Sequence, residues 1–251
     1  TPPLPPASFC CLYSPLTSLV AFADEGVLLR ERGIRMPIVV LNADEGSFDL
    51  MVAHRLEPEI YNFRSLAFFS KAVERVGEES YPIHIKLDTG MHRLGFMEGE
   101  LDMLTETLGE TPSVKVATIF SHLNCSDMPQ EDRYTREQIA RFDRMSGRLA
   151  AALPYPVLRH TANSAAIERF PEAQFDMCRL GLGLYGFGFE HNDELKPVST
   201  LKSRIVQLKH LSAGEAVGYG RAGKLTRDSV TATVPMGYAD GLDRHLGCGR
   251  W

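Results

Sequence analysis

At 251 residues, with 44% hydrophobic and 24% charged positions, the chain has ordinary globular composition, which excludes disordered and collagen-like classes. A net charge of −5 supplies no basic face for a nucleic-acid partner. No apolar run approaches the roughly 18 residues of a membrane helix, so a membrane partner is not expected either.

Residues 1–19 read as an irregular leader. Pro2, Pro3, Pro5 and Pro6 exclude helix and central strand, and the first basic residue is Arg30, too late for a secretory signal. Lysine is scarce: the first is Lys71. The cysteines (Cys10, Cys11, Cys125, Cys178 and Cys248) are odd in number and contain no CxxC, which points to reduced thiols in a cytoplasmic protein rather than a disulfide frame or metal site.

From residue 20 to about 189, apolar runs of strand length alternate with amphipathic helices. Strands are expected at Pro37–Asn42, Glu59–Asn62, Ile83–Leu87, Val114–Phe120, Val157–His160 and Cys178–Leu184, several as the continuous Val/Ile/Leu runs of strands buried on both faces. Between them, Leu66, Phe69, Val73 and Val76 share a helix face, as do Leu101, Leu104 and Leu108. Ile139, Phe142, Met145, Leu149 and Leu153 mark a longer helix over Asp132–Leu153. Alternation without a Gly-rich dinucleotide loop predicts α/β architecture of the (β/α)8 barrel type rather than a doubly wound sheet. Residues 190–251 change character: a polar joint at Glu190–Leu195, then strands expected in Val198–Leu211 and Ser229–Val234 with Gly-rich turns. They read as the start of a β-rich second domain.

Barrel enzymes carry their chemistry at the C-terminal ends of strands. Lys86 leads into Asp88-Thr89-Gly90 and Arg93, another strand ends at Ser121-His122, a third at Asn163-Ser164, and Arg179 precedes Gly181 and Gly183. Each has a plainer reading. Asn163-Ser164 fits a helix N-cap, His122 a structural histidine, and Gly237-Tyr238-Ala239-Asp240-Gly241 a turn with a packed aromatic. Lys86 and Arg179, inside apolar segments, resist such a reading because a buried cation needs a partner.

The segments IHIKLDTGMHRLGF (83–96), HTANSAAIERFPE (160–172), RLGLGLYGF (179–187), AVGYGR (216–221) and VPMGYADGLDR (234–244) together resemble the alanine racemase family. The wording FADEGVLLRERGI (22–34) fits that family's second strand and helix. The resemblance implies a pyridoxal-phosphate barrel followed by a β domain, and the interconversion of L- and D-alanine by two bases to supply peptidoglycan. It also implies a homodimer for the intact protein.

Carried over by position, Tyr238 corresponds to the tyrosine base, supported by His122 and Arg179. Arg179 corresponds to the pyridine-nitrogen partner, and Arg93 to a contact with the cofactor's phenolic oxygen and the substrate carboxylate. Lys86 corresponds to the family's carbamylated lysine. Ser164 and the amides of Gly181 and Leu182 correspond to the phosphate cradle, with Asn163 beside them. The family's cofactor lysine ends its first strand, where this chain has its leader. No PLP lysine is therefore present, and the resemblance implies an internal fragment, inactive alone. Two other readings stay open: another barrel-type amino-acid racemase, and a single-barrel cofactor-binding protein.

Overall fold

The computed structural model describes residues 17–190 and 192–246, which form two units divided between Val198 and Ser199. The Pro-rich leader up to residue 16 and the terminal segment 247–251 lie outside the described residues.

In the first unit, β1 (Ser18–Val20), β2 (Ile38–Val40), β3 (Glu57–Ile60), β4 (Tyr81–Lys86), β5 (Val114–Phe120) and β6 (Leu158–His160) make one six-stranded sheet. All its pairings are parallel, and each strand lies beside the next in sequence. A doubly wound sheet reverses its strand order partway, whereas a barrel does not, so the consecutive order is that of a (β/α) barrel. The crossovers carry α1 (Ala23–Glu31), α2 (Phe48–Ala53), α3 (Phe63–Arg75), α4 (Leu101–Gly109) and α5 (Asp132–Ala152), and α6 (Ser164–Arg169) follows β6.

The helices form where the sequence supplies both a cap and an apolar stripe. Asn62 stops the chain before α3 by accepting the amide of Ser65 at 2.7 Å, and Leu66, Phe69, Ala72 and Val73 then fall on one buried face. Phe69 packs edge-on against Phe48 at 5.3 Å and Tyr81 at 5.4 Å between ring centres, joining α2, α3 and β4. Burial of each such side chain stabilises the unit by roughly 1.5–3 kcal/mol. The register of β4 on β5 shifts by one residue between Ile83 and His84, which brings His84 opposite Thr118.

Three expectations change. The segment read as a leader ends in a strand, β1, too short to show periodicity. The strand expected at Glu59–Asn62 starts at Glu57 and includes Pro58 and Glu59, residues of low strand propensity. Cys178–Leu184 is not a strand. The Arg179 amide donates to Ala162, those of Gly181 and Gly183 donate to the Ser164 hydroxyl, and a 3-10 turn follows at Leu182–Tyr185. Its backbone donors are thus used locally, leaving no ladder to form.

The second unit holds β7 (Gln207–Leu211), paired antiparallel with β10 (Ser229–Thr233), and a short hairpin of β8 (Ala216–Val217) with β9 (Gly223–Lys224). The segment Val198–Leu211 is therefore strand only from Gln207. In this unit Tyr238–Asp240 is a single 3-10 turn. The Asp240 carboxylate accepts the Gly237 amide at 2.9 Å, and Gly241, at φ 94°, ends the turn in a conformation that favours glycine. Tyr238 is carried on this turn at 72% exposure, so the reading of it as a packed aromatic does not hold within this unit.

Candidate active site

One cavity of about 990 Å³ opens in the first unit, and Lys86, Arg93, His122, Asn163, Ser164, Arg179, Gly181 and Leu182 all line it. Every predicted site residue of this unit is thus brought to a single place. Tyr238 belongs to the second unit.

Arg179 organises the cavity floor. One terminal nitrogen, Nη2, donates to the Ser121 carbonyl at 2.7 Å and the Thr161 carbonyl at 3.0 Å and lies 3.2 Å from His122 Nδ1. The other, Nη1, reaches His160 Nδ1 at 2.9 Å. A guanidinium only donates, so both imidazoles accept at Nδ1 and carry their protons on Nε2. The same logic runs outward from His160. Its Nε2–H donates to Thr118 Oγ1 at 3.0 Å, the threonine hydroxyl donates to His84 Nδ1 at 2.8 Å, and His84 Nε2–H donates to Glu57 at 2.8 Å. A donor-only residue at one end and a carboxylate at the other give the chain one direction. The register shift in β4 makes its central link.

Charge follows burial. Burial, reinforced by Arg179, Lys86 and Arg93, pulls His122 down to about 3, so its ring is neutral. His160 is pushed well below the ordinary histidine range by burial first and Arg179 second. Burial also lowers Arg179 to about 10, with Glu59 opposing, and the residue stays cationic at neutral pH.

Lys86 has a partner that sequence reasoning missed. Its Nζ donates to Glu59 Oε1 at 2.6 Å, with both side chains buried. Nζ also lies 4.8 Å from the centre of the Phe120 ring, which Arg179 faces at 5.5 Å. Burial pushes the Glu59 carboxyl up and the Lys86 amine down, and their contact opposes both shifts. The signal in the sequence was an acidic residue beside Ile60 in an apolar strand, together with an unpaired lysine in the next strand.

Arg93 is held by loop architecture. Asp88 Oδ1 accepts the amides of Gly90 at 2.9 Å and His92 at 3.1 Å, and Phe96 donates back to the Lys86 carbonyl at 2.9 Å. Gly95, at φ 131°, approaches so closely that a Cβ there would stand 2.6 Å from the Asp88 nitrogen. Tyr134 and Arg141 of α5 donate to the carbonyls of Gly90 and Thr89. Much of the KLDTGMHRLGF motif therefore builds the loop that sets Arg93 at the cavity. Among the described residues Arg93 has no hydrogen bond or ion pair.

Asn163 caps α6, accepting the Ala166 amide at 3.0 Å and the Ser126 hydroxyl at 2.9 Å, so the capping reading of this residue holds. Ser164 Oγ instead receives the amides of Gly181 at 2.9 Å and Gly183 at 3.2 Å. A hydroxyl and two convergent glycine amides suit a phosphate, and a side chain on Gly183 would collide with Leu180 at 2.7 Å. Together with a donor-only arginine for a ring nitrogen and an unpaired arginine for an anionic oxygen, these residues fit pyridoxal phosphate.

Fold and cavity together define a barrel-type α/β chain with a cation-lined site at its strand ends, followed by a β-rich unit. Residues 17–188 match the family described as alanine racemase, N-terminal domain, and residues 198–250 match its C-terminal domain. An alanine racemase of Sorangium cellulosum is 36% identical over 233 residues, 90% of this chain and 61% of its own. The crystal structure of alanine racemase from Streptomyces lavendulae superposes with a TM-score of 0.85 at 27% identity, covering 92% of this chain and 63% of that one. That from Bartonella henselae, which carries covalently bound pyridoxal phosphate, gives 0.77 at 26% identity, covering 93% and 64%. The chain belongs to the alanine racemase family. It spans about 60% of the length of the curated relatives it matches.

Proposed function

We propose that the protein to which this chain belongs interconverts L- and D-alanine with pyridoxal phosphate, in the cytoplasm and as a homodimer, supplying D-alanine for peptidoglycan. The observation that carries this reading is the convergence of Arg93, His122, Ser164, Arg179 and the Gly181 amide on one cavity. Bound there, pyridoxal phosphate supplies an electron sink for the pair left when the alanine Cα proton departs.

The chain's own residues do the rest. Ser164 and the glycine amides bind the phosphate. Arg179 donates to the pyridine nitrogen and, having no proton to give up, leaves it unprotonated, which weakens the sink and favours simple return of the proton. Arg93 binds the phenolic oxygen and the substrate carboxylate. Tyr238 takes or returns the proton on one face of Cα. His122, neutral with its proton on Nε2, is equipped to donate toward the tyrosine oxygen and stabilise its anionic form.

The test is to measure racemisation of several L-amino acids by the intact protein. Alanine turned over fastest is the expected result, and no turnover of alanine contradicts the reading. For the 251-residue chain taken alone, with no lysine before Lys71, we expect no borohydride-trapped cofactor adduct and no racemisation.

A further inference from the structure

Glu59 and Lys86 form the one fully enclosed ion pair of the cavity wall. Glu59 is 1% exposed, its contact with Nζ is 2.6 Å, and the Phe120 ring closes the amine from another side. An amine must present its lone pair to react with carbon dioxide or any other electrophile. An ammonium held against a buried carboxylate has none to present. A carboxylate built on Nζ would also place a second anion against Glu59 within the same enclosure.

We propose that Glu59 keeps Lys86 as an unmodified ammonium ion, so that the wall beside Arg93 is a neutral ion pair rather than a lysine carbamate. Arg93 is then left without a fixed anion, its charge available for the anionic oxygens of the ligand. This consequence for Arg93 rests on the function proposed above; the state of Lys86 does not. Glu59 is a positioning residue, acting through Lys86.

Removing the Glu59 charge takes away the attraction that favours the ammonium, while burial, Arg179 and Arg93 continue to disfavour it. The amine of a Glu59→Gln variant is therefore free to react with carbon dioxide. Its lone pair forms an N–C bond, one C=O π pair moves to oxygen, and the proton on nitrogen leaves to solvent.

The test is carbon-13 NMR of the whole chain in labelled bicarbonate, without cofactor or alanine. Wild type should show no protein carbamate resonance. Glu59→Gln should show one that disappears when Lys86→Met is added, and Glu59→Asp, which keeps the charge, should be silent like wild type. A carbamate resonance in wild type that Lys86→Met abolishes overturns the proposal. Silence in Glu59→Gln, with circular dichroism like that of wild type, overturns it as well. Should Glu59→Gln not fold, the wild-type spectrum decides alone: a resonance overturns the proposal, and silence supports it. None of these outcomes depends on racemase activity.

Discussion

The two units handle polar chemistry in opposite ways. In the first, Arg179, His122, His160, Lys86 and Glu59 are enclosed and interlocked, and burial fixes which of them is charged. In the second, Tyr238 stands 72% exposed on a turn that Asp240 and Gly241 hold in shape. Substitutions in the first unit should therefore move folding and chemistry together, whereas substitution of Tyr238 should move chemistry alone.

The largest effect on stability is expected from Arg179→Ala. It leaves His160 Nδ1 and the Ser121 and Thr161 carbonyls without their donor, at a cost of about 3–5 kcal/mol. Chemical denaturation would measure it, and a loss comparable to that of a surface arginine would break the contrast between the units. Gly95→Ala comes next, at about 2–4 kcal/mol, because it combines a left-handed φ of 131° with a clash at the Asp88 nitrogen. It should also weaken pyridoxal phosphate binding to the intact protein, by displacing Arg93.

Acid should destabilise the first unit more gently. His122 and His160 are neutral when folded but take up protons below about pH 6.5 when unfolded, so their contribution is complete above that pH and declines below it. Stability should fall by about 1–2 kcal/mol per pH unit between about pH 6 and pH 4, with close to two protons taken up on unfolding. Denaturant midpoints measured across that range check the slope; stability rising toward acid would contradict it. The smallest effect on folding belongs to Tyr238→Phe, expected within about 0.5 kcal/mol of wild type. In the intact protein the same change should lower kcat by about 100- to 10,000-fold, read from racemisation rates.

Most of the helices and the barrel order were legible because amphipathic period and strand alternation are local properties. Val114–Phe120 is a strand at its expected bounds, and α5 runs from Asp132 to Ala152 much as its apolar stripe required. What local pattern could not show was where polar groups find their partners. The Arg179–Gly183 run looked like a strand because its leucines alternate with glycine, yet its amides are captured by Ala162 and Ser164 from other elements. Glu59 lay unnoticed at the edge of an expected strand. Its role follows from the pairing of β3 with β4, which sets Glu59 opposite His84 and brings its carboxylate to Lys86 further along β4. The directional chain through His84, Thr118 and His160 depends on a one-residue register shift that no sequence spacing announces.

The measurement closest to the centre of this account is histidine-selective nitrogen-15 NMR of His122 from pH 8 to pH 5. With Arg179 donating to Nδ1, the ring should remain neutral over that range, with its proton on Nε2. Titration near pH 6.5, or a proton on Nδ1, would contradict the account.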